Sequence, residues 1–436
     1  MIALVPLLVA AVLLAASCAV ARTVDRRRAR HVAVVCATAA ASVAALSAAP
    51  PLAGLLAPLT GGHLWGLLVA VVPDGAARFA GILTCLAGLL VVAMSPLAEH
   101  PPATLARILR LLAASSGFGA VGQGGATVAL WALSAWLVWA ELRRCDDGLA
   151  RLFAAYQVPG VLLLGAGTAL AATGHEEAGA VLVALALVIR LALVPAHGWY
   201  PRFVERAPMG VVVAFGIAPL GMLTRLDLLS AFPAQEVASL GVLTAVAAAV
   251  LAVVQDRARR ALAFLMMSQG GLVAFGLGGD SPIAVSGALL TWQASALALP
   301  GFAMSLAALE ARRGPLSLAT PDGNFARTPR LAVAFLLCGL AGVGFPPSLG
   351  FAGDHLLVHG SVTGFPPAWP VLLGVVGING MTVMKCFLTL FAGSRAHYGE
   401  RDLVPLEAYA LTIVIGTLLI GAAFPVTPGS AWFGGS

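Results

Sequence analysis

From end to end this chain is a succession of apolar runs of bilayer length, joined by short connections that carry arginine. A helix needs about 20 apolar residues to cross the hydrocarbon core, and in lipid only helices and closed barrels satisfy every backbone polar group. Runs of that kind fall at 1–21, 31–49, 79–95, 105–121, 123–141, 152–172 and 178–195. They resume at 209–229, 236–254, 261–278, 283–307, 329–349, 367–393 and 406–424. The pattern predicts an all-α, polytopic membrane protein of about 14 transmembrane helices. Residues 1–436 read as a single integral membrane domain, with N-terminal helices over 1–121 and later groups over 123–278 and 283–424. Glycines between 117 and 125 and the prolines from Pro50 to Pro73 leave the boundaries of the third to fifth spans open.

Composition agrees. The chain is 60% hydrophobic and 10% charged, far from the balance of a soluble domain. Its formal charge of +6 comes from loop arginines and does not point to nucleic acid. The six cysteines are scattered, with no CxxC or Cys/His cluster, so neither a metal centre nor a disulfide framework is expected. Met1 to Val20 lacks a basic segment before its apolar run and reads as a retained helix, not a cleaved leader.

The arginines test the span map independently, because cytoplasmic loops are enriched in basic residues. With both termini outward, the inward connections collect Arg22 to Arg30, Arg107 and Arg110, Arg143 to Arg151, Arg202 and Arg206, Arg257 to Arg260, Arg312 to Arg330, and Arg395 and Arg401. Only Arg78 and Arg225 fall on the outer side, while Arg190 and Lys385 lie inside helices. The location expected is an inner (plasma) membrane.

A few polar side chains stand where hydrocarbon is expected. Arg190 precedes a break at Pro195, and a charge at membrane depth marks a functional site by default. Its alternatives are an arginine that snorkels or binds carbonyls, and one that faces a cavity. It cannot readily release its proton, so it serves as a fixed charge or an anion anchor. His197 follows the break and either passes protons or caps free carbonyls. Trp199 and Tyr200 read as interfacial anchors. Lys385, the one lysine in the chain, either exchanges a proton when desolvated or reaches for the cytoplasmic interface. Glu141 can supply Arg190 with a counter-charge if their helices are neighbours. Ser268, Gln269 and Gln293 can line a hydrated path or glue helices together. The remaining carboxylates fall in loops or at helix ends, including Asp354 in the turn from Gly344 to His355. Gly122-Gln123-Gly124-Gly125 reads as a helix-packing surface.

Several of these residues form a pattern. Arg190, Pro195-Ala196-His197-Gly198-Trp199-Tyr200-Pro201 and Ala207-Pro208 together resemble the lysine, Pro-x-His-x-Trp-Leu-Pro and Ala-Pro signature of the antiporter-like proton-channel subunits of respiratory complex I. The same family includes Mrp antiporters, membrane-bound hydrogenase subunits and the membrane subunit of DAB-type inorganic-carbon systems. Arg259-Arg260-Ala261-Leu262-Ala263-Phe264 resembles its Lys-Arg-Leu-Leu-Ala-Tyr turn. Arg151 to Tyr156 is similar to its Ala-Phe-Lys-Tyr stretch, and Gly344-Phe345-Pro346-Pro347 with Gly350-Phe351 to its Gly-Leu-Pro…Gly-Phe motif.

The resemblance implies inverted five-helix repeats with broken helices, outward termini and a proton- or cation-translocating role within a larger complex. It also exposes departures. Arg190 stands for the family's lysine, Trp131-Ala132 for its Trp-Glu pair, and Gln293 with Leu297 for its His-x-x-x-Lys pair, while Lys385 is placed on its terminal-channel basic residue. Arg190, His197, Lys385, Glu141, Gln293, Ser268 and Gln269 are thus the pathway candidates. No catalytic residue, cofactor or metal is assigned. Expected partners are the bilayer, other membrane subunits or a peripheral soluble protein, and no nucleic acid. Two alternatives stay open: an inorganic-carbon uptake subunit driving a zinc-dependent, carbonic-anhydrase-like partner, and a scaffold that conducts nothing.

Overall fold

The structure, a computed structural model, describes residues 4–47, 75–118, 124–217, 234–279, 281–321, 323, 325–364, 366–393 and 400–423. Expectations for residues 50–73, for 218–229 with Arg225, for Arg395 and for the 122–123 end of the glycine run lie outside these residues. Sixteen helices are described: α1 Leu4–Ala21, α2 Arg26–Ser47, α3 Gly75–Met94, α4 Pro102–Phe118, α5 Gly125–Cys145, α6 Asp147–Ala172, α7 Glu176–Arg190 and α8 Tyr200–Arg206. They continue as α9 Met209–Ile217, α10 Ala234–Val253, α11 Ala258–Leu277, α12 Pro282–Arg313, α13 Pro329–Gly342, α14 Leu349–Gly364, α15 Ala368–Phe391 and α16 Pro405–Ala423. Among the described residues the only β pairing is an isolated bridge between Arg257 and Ser317. Among the described residues, seven helices are long and apolar enough to cross a membrane: α5, α6, α10, α11, α12, α15 and α16.

The helices gather into two compact units. One holds α1 to α7 without 94–96, together with 210–217; the other holds 94–96, 191–209 and all described residues from 234 onward. In the first, Phe118, Trp131, Leu164, Val183, Ala186 and Leu187 form a core. In the second, Ala245, Ala249, Leu272, Phe275, Ala288, Leu357 and Leu372 do so. There α11 and α12 are the central pair, with 78% of each span buried against 28% for α16.

Glycine sets how closely the second unit's helices approach. A Cβ on Gly271 of α11 would lie 2.5 Å from the Ala245 backbone nitrogen of α10, and one on Gly241 of α10 would lie 2.4 Å from the Phe275 nitrogen. Likewise Gly353 and Gly360 of α14 meet the backbones of Thr291 and Ala284 of α12, and Gly287 meets that of Leu357. Small residues at such spacings let helices dock in lipid, where apolar burial gives no drive for association. Gly271→Val should therefore force α10 off α11 and lower stability by about 1–3 kcal/mol, read as a lower midpoint of thermal unfolding in detergent.

Two helices break, and both depart from the span map. The run expected to be helical over 178–195 stops at Arg190. Ala192 takes a left-handed φ of 53°, Pro195 supplies no amide proton and disfavours helix before it. The amide of Val194 is satisfied by the Thr244 hydroxyl of α10 at 3.0 Å. The second break, 343–348, ends α13 and starts α14, a helix where a turn is expected. Ser348 caps it, its Oγ accepting from the Phe351 amide at 3.3 Å and donating to the Phe345 carbonyl at 2.6 Å. Gly350, Gly353, Gly360 and Gly364 disguise α14 as loop, although two of them are the residues that let it seat against α12.

Candidate functional site

In the first unit Arg190 is the last residue of α7 and is 4% exposed. Its Nη2 donates to Ser134 Oγ at 3.0 Å. The guanidinium lies 3.6 Å from the Phe215 ring centroid and 5.3 Å from that of Trp131. Nε and Nη1 have no hydrogen-bond partner among the described residues. Glu141, the counter-charge suggested for Arg190, is committed elsewhere. It is ion-paired with Arg107 and accepts from the Thr104 hydroxyl at 2.5 Å. The reason is helical: Glu141 is two turns beyond Ser134 on α5, roughly 10 Å along the axis. The Arg107 pair escaped sequence reading because Arg107 looks like an ordinary inward loop residue.

In the second unit His197 lies in the first break, with its Nδ1 buried and unpartnered and its carbonyl accepting from the Tyr200 amide at 3.0 Å. Trp199 is 1% exposed, and the Tyr200 hydroxyl donates to Met266 Sδ at 3.5 Å. Trp199 thus packs inside the unit, while Tyr200 is half-buried. Below them the Arg257–Arg260 turn is tied down by carboxylates: Arg257 and Arg260 reach Glu205, and Arg259 pairs with Glu310 at 2.6 Å.

The interior polar groups of this unit come from four helices. Ser268 Oγ on α11 donates to the Ala245 carbonyl at 3.0 Å and accepts from Asn379 Nδ2 of α15 at 2.9 Å. Gln269 Oε1 accepts from Ser295 of α12 at 3.4 Å. Gln293 and Leu297 of α12 are both buried. Asp354 of α14 is 6% exposed, and its Oδ1 accepts from Thr291 Oγ1 at 2.8 Å. Three polar atoms here are without partners among the described residues: Asp354 Oδ2, Gln269 Nε2 and Asn379 Oδ1.

Asp354 is the residue sequence reading misplaced. It is a buried carboxyl in a helix, six residues past the break, with no ion pair among the described residues. Gly344, at φ 76°, leaves room for it; a Cβ there would sit on Oδ2. The signal was present in the Gly353 and Gly360 spacing of seven, which marks a helix face, and Asp354 adjoins that face.

Lys385 is accounted for differently. Its Nζ donates to the carbonyls of Val253 and Gln255 at 2.9 and 2.8 Å, at the C-terminal end of α10. A cation there meets the negative end of the helix dipole and the orphan carbonyls. Lys385→Ala should cost about 1 kcal/mol of stability, read as a lower unfolding midpoint.

A helical bundle with two proline-marked breaks, glycine-tight seams and a buried carboxyl beside one break is the architecture of an antiporter-like membrane subunit. The family model for NADH:quinone oxidoreductase/Mrp antiporter transmembrane proteins matches residues 157–379, and the chain belongs to that family. It is 28% identical over 236 residues to NADH-quinone oxidoreductase subunit N of Hydrogenovibrio crunogenus, covering 51% of this chain and 48% of the relative. It is 27% identical over 415 residues to subunit N of Rhizorhabdus wittichii, covering 83% and 82%. The chain thus spans about half the length of several curated relatives it matches, the first of these among them. Its fold is that of a chain in the Mrp complex of Dietzia sp. (TM-score 0.84, 18% identity, 98% of this chain and 96% of the other). The same holds for a chain of respiratory complex I from Thermus thermophilus with bound NADH (TM-score 0.82, 20% identity, 99% of each). This is a multi-pass membrane protein.

Proposed function

We propose that this chain translocates protons as one membrane subunit of a multi-subunit complex in an inner (plasma) membrane, energised by its partners. One observation carries the reading: Asp354, a titratable group buried beside a helix break, holds one carboxyl oxygen on Thr291 and leaves the other free. Buried polar atoms need partners. Those left open on Asp354, Gln269 and Asn379 all belong to the second unit, where a file of water would satisfy them and carry protons. Ser268 and Gln293 line the same interior, and His197 supplies an imidazole at the first break. Lys385 and Glu141 act structurally in this reading, because each already spends its charge on a neighbour.

Helices α13 and α14, counted as one broken crossing, keep both termini on the outer face and the arginine-rich connections inward. The partners are membrane subunits of the kind that the relatives' names describe. The test is proton flux in liposomes holding the assembled complex. Flux should require the Asp354 carboxyl; a complex that conducts equally without it, or one that never conducts, overturns the proposal, the latter in favour of a scaffold.

A further inference from the structure

We propose that Arg190 and Trp131 form a binding site for a small monovalent inorganic anion, of the halide or bicarbonate kind, inside the first unit. The observations concern the charge and hydrogen bonds of one cluster. Arg190 is buried with a permanent positive charge, and buried charges are ordinarily paired. Its one acceptor is Ser134 Oγ at 3.0 Å, a neutral group whose own proton goes to the Trp131 carbonyl at 2.8 Å. Among the described residues Arg190 Nε and Nη1 are buried without acceptors, and so is the indole Nε1 of Trp131, whose ring lies 5.3 Å from the guanidinium. The unsatisfied atoms of both residues are therefore hydrogen-bond donors.

The carboxylate on the same helix is already committed: Glu141 is held by Arg107 and Thr104. Phe215 and Trp131 contribute their ring faces, which favour the cation but accept none of its in-plane N–H bonds. What is missing is an acceptor with one negative charge. Water would supply acceptors without the charge. A small monovalent anion supplies both, and the aromatic walls disfavour a larger or multiply charged one by leaving its other oxygens dry. This inference does not depend on the proton pathway, which rests on residues of the second unit.

The test uses the full chain purified in detergent, in sodium gluconate at constant pH and ionic strength, with gluconate exchanged for bromide, chloride or bicarbonate. Wild type should show a saturable rise in unfolding temperature with at least one of these anions, because a ligand of the folded state stabilises it by mass action. The relative halide and bicarbonate midpoints identify which anion the site takes. Arg190→Met should abolish the rise. Arg190→Lys and Trp131→Phe, each losing a hydrogen bond to the anion while keeping the charge or the ring, should raise the midpoint concentration roughly tenfold. A flat wild-type response means hydration only and overturns the proposal. So does a response that survives in Arg190→Met or, should that variant not fold, midpoints unmoved in both Arg190→Lys and Trp131→Phe.

Discussion

Asp354→Asn is expected to reduce proton flux through the reconstituted complex by roughly 100-fold, the scale on which removing a positioned proton-transfer group acts. Asparagine keeps the shape and can still accept from Thr291, so the packing of α14 on α12 survives, but it cannot take up or release a proton in this range. A retained unfolding midpoint with lost flux separates chemistry from folding. Thr291→Val removes the 2.8 Å hydrogen bond and leaves the carboxyl with one fewer donor; flux should fall by less than in Asp354→Asn. Lys385→Ala is the matched control, a charge removed from α15 whose role is to cap α10. Equal flux in Asp354→Asn and wild type would assign the carboxyl a purely structural role.

The second large effect concerns stability. Arg313 closes α12 and meets Glu400 through both carboxylate oxygens, with each side chain only 2% exposed. Its Nη1 also donates to the Leu390 carbonyl of α15 at 2.6 Å. Glu400→Ala strands a buried guanidinium, which costs about 3–5 kcal/mol. The neighbouring Glu407 cannot compensate, since it already accepts from Arg312 at 2.8 Å and from the Val404 amide at 3.2 Å. Replacing both partners, Arg313→Leu with Glu400→Leu, should recover most of the loss, because the desolvation penalty goes with the charges. Thermal unfolding of the two variants decides it: a double variant no better than the single would mean that the Leu390 contact, not the ion pair, dominates.

What could be read from the sequence followed the solvent. Hydrocarbon forces helices, so the spans and their order were legible from the apolar runs, and Arg190 was conspicuous because lipid makes a charge costly. What could not be read depended on what sits across from a residue. The α14 helix was hidden because glycine reads as a breaker until the facing backbones of Thr291 and Ala284 are seen. Asp354 was misplaced with it. Glu141 had the right charge for Arg190 and the right face of α5 but sits two turns further along it, and its actual partner Arg107 lies 34 positions earlier. Lys385 remained ambiguous because no pattern along one helix reveals that another ends beside it. The helix ending at Arg190 came out shorter than its apolar run, since Ala192 gives no warning of a left-handed turn.

The glycine seam between α12 and α14 also bears on time. With backbones in contact at Gly287, Gly353 and Gly360, there is no layer of side chains to shear, and a slide of one helix past the other would drive carbonyls into Cα atoms. Helix shifts of that kind belong to the microsecond-to-millisecond range, whereas rotamer changes run in picoseconds to nanoseconds. The carboxyl of Asp354 therefore sits on a rigid rail. Amide hydrogens along this seam should be among the slowest in the protein to exchange.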